Sequence, residues 1–186
     1  QRQMCIRDRN SENEVEFLHS DDGSISLLIK NVIPKHLDCI SAKLVEMGVY
    51  IEDRGDAVLV RRSGPLQKTN VKTMPYPGFP TDDQALLMAA LTRSRGSTVF
   101  VENLFADRFR HVPQLIKMGA QIRTRGQTAI VTGVQRLQGA AVQATDLRGG
   151  AALVVAGLQA QGVTRVEQIH HIERGYADIV LSLIHI

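Results

Sequence analysis

Four side chains suited to acid–base or anion-holding roles recur in matched pairs. Asp82 and Asp146 each follow a threonine, Thr81 and Thr145, at the expected start of a helix. Arg108 and Arg174 each follow an acidic residue, Asp107 and Glu173, and are expected to open two further helices. The free N–H groups of a helix start carry positive partial charge and favour an anion. A carboxylate there has an ordinary structural use, because it stabilises the first turn. An arginine there is electrostatically opposed and needs a reason. Either it pairs with a neighbouring aspartate, or its planar fork grips a phosphate or carboxylate. The chemistry these residue types offer is a pocket for a small anion beside an acidic group.

Other features are weighed against that pocket. Met74 to Pro80 reads Met-Pro-Tyr-Pro-Gly-Phe-Pro, a stiff, extended lead-in that would fix Asp82 in space, as structural loops also do. Gly149-Gly150-Ala151-Ala152 follows Asp146-Leu147-Arg148 but matches no phosphate-binding glycine loop, and reads as close helix packing. His170 and His171 lack carboxylate or cysteine partners at ligand spacing, so no metal is expected. His111 reads as packing or surface, with a minor site role left open by its closeness to Arg108. Cys39 reads as a small core residue and Cys5 lies in a polar, unpatterned terminus; neither is a credible nucleophile.

The elements that must position these groups come in duplicate. Leu44-Val45-Glu46-Met47-Gly48 returns as Leu115-Ile116-Lys117-Met118-Gly119, 71 positions on, and Ile51, Arg54-Gly55 and Val60 return at the same shift. Thr81-Asp82 and Asp107-Arg108 return 64 and 66 positions on. The first unit is predicted as a strand (Ser24 to Lys30), a helix (Pro34 to Met47, apolar at Leu37, Ile40, Leu44 and Met47), and a hairpin (Val49 to Asp53, Ala57 to Arg61). A helix from Asp82 to about Ser94 follows, with Thr81 as N-cap and Gln84 at capping-box spacing. The second unit repeats the order: strand Thr98 to Glu102, helix Arg108 to Met118, and hairpin strands Gln121 to Arg123 and Thr128 to Thr132. Strand Ala141 to Ala144 and helix Asp146 to Gln161, closed by Gly162, come next. Strand Thr164 to Gln168 opens a third unit, which begins again with Arg174 and stops. Three such units about a pseudo-threefold axis would bury helices centrally with sheets outside. This chain holds about two and a fraction.

Composition narrows the class. With 44% apolar and 22% charged residues the chain is globular rather than disordered. The net charge of +3 is mild and its basic residues are scattered, so no nucleic-acid partner is expected. The longest apolar stretch, Ala151 to Leu158, is too short to span a membrane, and no membrane partner is expected. Two cysteines without a disulfide framework, and no signal sequence, point to the cytoplasm. Residues 1–23 and 181–186 are expected to be foreign to the natural gene.

Four ordered motifs carry a family resemblance: Lys72-Thr-Met-Pro-Tyr-Pro-Gly-Phe-Pro-Thr-Asp-Asp-Gln84, Phe105-Ala-Asp-Arg-Phe109, Ala144-Thr-Asp-Leu-Arg-Gly-Gly-Ala151 and His171-Ile-Glu-Arg-Gly-Tyr176. From about Ile25 to Ile179 the chain resembles the UDP-N-acetylglucosamine enolpyruvyl transferases, within the EPSP synthase-like family. The resemblance implies an α/β fold, a two-domain inside-out barrel with three βαβαββ units per domain. Residues 24–180 would then be a partial C-terminal domain, lacking its last unit and the whole N-terminal domain, its partner in the same chain. The implied reaction moves the enolpyruvyl group of phosphoenolpyruvate to the 3′-hydroxyl of UDP-N-acetylglucosamine, without a cofactor. By motif, Asp82 would be general base or proton relay, and Arg108 and Arg174 would hold phosphoenolpyruvate. Arg148 would lie near the nucleotide or phosphoenolpyruvate, Asp146 would order the cleft, and Leu104 would meet the sugar nucleotide through its backbone. The family's mobile Cys- or Asp-bearing loop and its Lys-Asn pair belong to the missing domain, so the chain alone is expected to be inactive and to leave apolar surface uncovered. The alternatives are a 3-phosphoshikimate 1-carboxyvinyltransferase-like enzyme and a non-catalytic anion-binding repeat domain.

Overall fold

The aliphatic alternation that predicts strands and the three-and-four stepping that predicts helices are both realised in a computed structural model, which describes residues 14–19, 24–62, 64–176 and 179. Of the two terminal segments expected to be foreign, only residues 14–19 are among these; the rest, with Cys5, lie outside the described residues. The described residues divide into two compact units, one ending at Gly64 and the other starting at Pro65.

The first unit is a four-stranded antiparallel sheet with one helix. Its elements are β1 (Glu14–His19), β2 (Ile25–Lys30), a 3-10 turn at Pro34–Leu37, α1 (Asp38–Glu46), β3 (Val49–Asp53) and β4 (Ala57–Arg62). The sheet order is β1-β2-β4-β3, with Leu28 opposite Leu59 and Ile51 opposite Val60. Proline at the head of the expected helix accounts for the tighter first turn, since it accepts the bend but donates no N–H. Met47 and Ala57 to Leu59 are buried and form the centre of this unit.

In the second unit the chain runs β5 (Val71–Lys72), α2 (Thr81–Leu91), β6 (Ser97–Val101), α3 (Val112–Lys117), β7 (Gln121–Arg125) and β8 (Thr128–Thr132). It continues through β9 (Leu137–Gln138), β10 (Ala141–Gln143), α4 (Leu147–Gln159), β11 (Ala160–Gln161), β12 (Arg165–Glu167) and α5 (His170–Glu173). The main sheet has the order β5-β6-β8-β7, while β9 pairs with β11 and β10 with β12 as short parallel ladders. Helix α4 packs against α2 and α5. Met88, Leu91, Ala152, Leu153 and Ala156 on α2 and α4, and Phe100, Ala129 and Val131 on the sheet, are sealed from solvent.

The duplication is visible in space. β2-α1-β3-β4 and β6-α3-β7-β8 share one connectivity and one strand order. Both helices end at a left-handed glycine, Gly48 (φ 85°) and Gly119 (φ 89°), where any side chain would be strained. The fold is α/β, as expected, but among the described residues no sheet closes on itself into a barrel.

Several expected helix ends move, each for a local reason. The second unit's α3 starts at Val112, not Arg108, because Pro113 has no N–H to return to the Phe109 carbonyl. α4 stops at Gln159, where Ala160 turns extended to pair with Leu137, rather than running to Gly162. α5 starts at His170 and ends at Glu173, so Arg174 closes this helix instead of opening one.

Gly149-Gly150-Ala151-Ala152 is buried, as its small side chains predict. A Cβ on Gly150 would lie 2.5 Å from Ile172 Cγ1 and 3.1 Å from the Ala144 Cβ. Glycine in a helix interior costs about 1 kcal/mol against alanine, yet overpacking costs about 1–3 kcal/mol, so the clash wins. Gly150→Ala should lower the urea midpoint of the chain without changing the m-value. Gly157→Ala should cost less, because its nearest contact, the Thr164 Cβ, is 3.3 Å away.

Candidate functional site

The last of three prolines holds the chain extended at the N-cap of α2 (Pro80, φ −72°, ψ 140°), and two acids, Asp82 and Asp83, occupy the first turn. The expected Thr81 cap does not form, and α2 has no side-chain cap. The Thr81 hydroxyl is drawn elsewhere: it donates to Glu102 Oε2 (3.0 Å) and accepts from Arg108 Nε (3.0 Å). Gln84, its expected capping-box partner, is buried, and neither of its amide atoms has a hydrogen-bond partner among the described residues.

Two arginines converge on one oxygen of Asp82. Arg108 Nη2 donates to Asp82 Oδ1 at 3.0 Å, and Arg148 Nε lies 2.5 Å from the same atom. Asp82 Oδ2 and Arg108 Nη1 have no protein partner among the described residues. The Phe105 ring lies beneath the Arg108 guanidinium, 4.8 Å from its carbon. Asp82 is half-exposed and Arg148 about a third exposed, whereas Arg108 is more enclosed. The hydrogen bond to Asp82 raises the Arg148 pKa, against the opposing effect of burial. A carboxylate flanked by two forks, with one oxygen and several N–H groups open, can take a proton from a hydroxyl while its neighbours hold an anion.

The remaining expected residues divide. Asp146 is the N-cap of α4: its Oδ1 accepts from the Arg148 and Gly149 amides (3.0 and 2.9 Å), and Thr145 donates to Oδ2 (3.2 Å). Burial opposes ionisation of Asp146, but the Gly149 amide, the Thr145 hydroxyl and the Arg148 amide outweigh it and lower its pKa. Asp146 thereby ties down the backbone amide of Arg148. Leu104 donates its N–H to Glu102 Oε1 (3.0 Å), so only its carbonyl is open for the contact the resemblance implies. Arg174 is exposed at the end of α5, and its side chain makes no hydrogen bond or ion pair among the described residues. The structure brings Asp82, Arg108, Arg148 and Asp146 together; it does not bring Arg174 into contact with them.

The inference that a cation at a helix start needs a compensating partner is sound, but it belongs to another residue. Neither Arg108 nor Arg174 opens a helix, whereas Arg148 sits in the first turn of α4, and its partner is Asp82. Three groups escape sequence reasoning altogether. Asp83 has its pKa raised by burial and by Asp82, against Arg148. Tyr176 has its pKa raised by burial and by Asp83. Glu102 is 1% exposed; its signal was available, because two-residue alternation puts it on the face of Thr98 and Phe100. No such periodicity links Asp83 to Tyr176, which are distant in sequence.

Comparison with known proteins identifies the relatives of this chain. A family model described as EPSP synthase (3-phosphoshikimate 1-carboxyvinyltransferase) matches residues 22–183. A UDP-N-acetylglucosamine 1-carboxyvinyltransferase of Desulfofundulus thermocisternus is 53% identical over 84% of this chain and 65% of its own length. One from Caldanaerobacter subterraneus is 52% identical over 83% of this chain but 37% of its own length. The chain thus spans only part of each relative. Among solved structures, the enolpyruvyl transferase NikO from Streptomyces tendae aligns with a TM-score of 0.73 and 29% identity, over 80% of this chain and 34% of that one. An EPSP synthase from Acinetobacter baumannii aligns at 0.56 and 22% over 75% of this chain and 35% of its own, a likeness of fold alone.

His111, weighed from sequence as packing or surface, is buried at 1% exposure with Nε2 unpartnered, and it packs against Gly149. Burial pushes its pKa from 6.5 down to about 4, against Asp146 and a hydrogen bond to the Arg108 backbone. Between those values the unfolded chain binds more protons than the folded one, so stability must fall as pH drops from 6.5 towards 4. The loss should be about 3 kcal/mol. Denaturant titrations from pH 7 to 4.5 should record this decline, and His111→Gln should flatten it.

Proposed function

The chain belongs to the EPSP synthase (3-phosphoshikimate 1-carboxyvinyltransferase) family, and from that premise we propose that it is part of an enzyme that transfers the enolpyruvyl group of phosphoenolpyruvate to the 3′-hydroxyl of UDP-N-acetylglucosamine. Phosphate is released, and the product enters peptidoglycan synthesis in the cytoplasm. The observation that carries the reading is Asp82 held through Oδ1 by Arg108 and Arg148, with Oδ2 open. The relatives at 53% and 52% identity are UDP-N-acetylglucosamine 1-carboxyvinyltransferases, which favours UDP-N-acetylglucosamine as acceptor over a shikimate phosphate.

In this reading Asp82 Oδ2 removes the proton of the acceptor hydroxyl as its oxygen bonds to C2 of phosphoenolpyruvate and C3 gains a proton. C3 then gives up a proton, the C2–phosphate oxygen bond breaks, and the double bond is restored as phosphate leaves. Negative charge sits on phosphate and carboxylate throughout, so guanidinium groups fixed in advance stabilise each stage. Arg108 and Arg174 hold phosphoenolpyruvate, Arg148 lies by the nucleotide or phosphoenolpyruvate, Asp146 orders Arg148, and the Leu104 backbone meets the sugar nucleotide. The proton reaching C3 is left to the other domain. Residues 24–180 are read as a partial domain of an inside-out barrel, with about two and a fraction of its three βαβαββ units, whose cleft is completed by an N-terminal domain.

Mixed with phosphoenolpyruvate and UDP-N-acetylglucosamine, this chain alone should release no phosphate above background. In a full-length protein carrying this segment, Asp82→Asn keeps an acceptor for both arginines but replaces the open oxygen with a non-basic amide. Its kcat should fall about 10²–10⁴-fold while the KM for phosphoenolpyruvate changes little. An unchanged kcat would remove Asp82 as the base, absence of any turnover in the wild-type full-length protein would point to an anion-binding scaffold, and phosphate release supported by shikimate 3-phosphate in place of UDP-N-acetylglucosamine would overturn the acceptor.

A further inference from the structure

A carboxyl group buried as deeply as that of Glu102 is tolerated only when its oxygens are satisfied. Four donors satisfy them. Oε1 accepts from the Thr73 hydroxyl (2.8 Å) and from the amides of Leu104 (3.0 Å) and Phe105 (3.2 Å), while Oε2 accepts from the Thr81 hydroxyl (3.0 Å). These donors come from three separate segments: the end of the β5 strand, the first residue of α2, and the loop after β6. Thr73 is itself tied to that loop, accepting from the Asn103 amide and receiving Asn103 Nδ2 on its carbonyl, both at 3.0 Å.

We propose that Glu102 is a positioning residue that sets the orientation of Arg108 through Thr81 and Phe105. An arginine carries its fork on a flexible stem, so a guanidinium bound only at its tip can swivel. Nε is the donor nearest the stem, and the hydroxyl that receives it belongs to Thr81, which in turn donates to Glu102. On the other side the Phe105 ring lies under the guanidinium, and the Phe105 amide is also held by Glu102. With the plane of the fork set at two points, Nη2 meets Asp82 and Nη1 stays open for an anion. The importance of Glu102 for turnover rests on the enolpyruvyl reading above; its control of Arg108 does not.

Glutamine at this position offers one acceptor oxygen instead of two. Three donors already occupy Oε1, so the amide NH2 must face Thr81 and donate to its hydroxyl, which then has no acceptor for its own proton and must turn, disturbing the position in which it receives Arg108 Nε. Hydrogen exchange followed by NMR on the ligand-free 186-residue chain tests the proposal. In the wild type, the Leu104 and Phe105 amides should exchange at least about tenfold more slowly than those of Ala106 and Asp107, which have no hydrogen bond in the same loop. Glu102→Gln and Thr81→Val should each accelerate exchange at Arg108 Nε–H by roughly tenfold. Thr81→Ser, which keeps the hydroxyl, should leave that proton slow. An unchanged Arg108 Nε–H in folded Glu102→Gln, or unprotected Leu104 and Phe105 amides in the wild type, would overturn the proposal. If Glu102→Gln fails to fold, Thr81→Val against Thr81→Ser and the wild-type amides still leave the proposal open to refutation. No substrate enters these readouts, so a failure of the enolpyruvyl reading cannot be mistaken for a failure of this one.

Discussion

The arrangement turns on one carboxylate oxygen, Asp82 Oδ1, shared by guanidinium groups from two places in the chain. Two cations brought close together repel one another, and the shared acceptor is what makes their proximity tolerable. Arg108 comes from the loop before α3, Arg148 from the first turn of α4, and Asp82 from the first turn of α2. None of these elements is neighbour to another in sequence, so the contact reports on tertiary packing as well as on local charge. The surplus positive charge of the trio is what an anionic substrate would meet.

Packing supplies the geometry. α2 and α4 lie side by side, and the glycines at the start of α4 let α5 and His111 approach closely. Larger residues at Gly149 or Gly150 would push α5 and His111 outward and shift Arg148 relative to Asp82. The Asp146 cap fixes the first turn of α4 from the other side, by accepting two of its free amides. Glu102 plays the matching part for Arg108, so both arginines are steadied by acids that do not touch the open oxygen of Asp82. A half-exposed ion pair adds little to stability; its use here is orientation.

The failures of sequence reasoning have a common cause. Charge and spacing put helix starts at Arg108 and Arg174, but Pro113 delays α3 and the turn at Gln168 (φ 57°) brings α5 forward, so neither arginine opens a helix. Thr81 has the residue type and spacing of a cap, yet its hydroxyl is taken by Glu102 and Arg108, partners 21 and 27 residues away. A local signal cannot anticipate a distant competitor for the same hydroxyl. The capping role of Asp146, by contrast, depends only on its own next three residues, and it was legible as an acid at a helix start.

Beyond Asp82, Asp146, Arg108 and Arg174, singled out by their places in the repeat, and Arg148 and Leu104, singled out by the family resemblance alone, the sequence by itself determined the duplicated strand–helix–hairpin unit, its glycine-ended helices and the α/β class. Those features follow from side-chain periodicity and backbone freedom, which act over a few residues. Only the tertiary structure decided that Arg148 as well as Arg108 meets Asp82, that Arg174 pairs with neither Asp82 nor Asp146 among the described residues, and that buried Glu102 ties three segments together. Those outcomes depend on which donors and acceptors lose access to water together, and that is settled only when distant parts of the chain pack against each other.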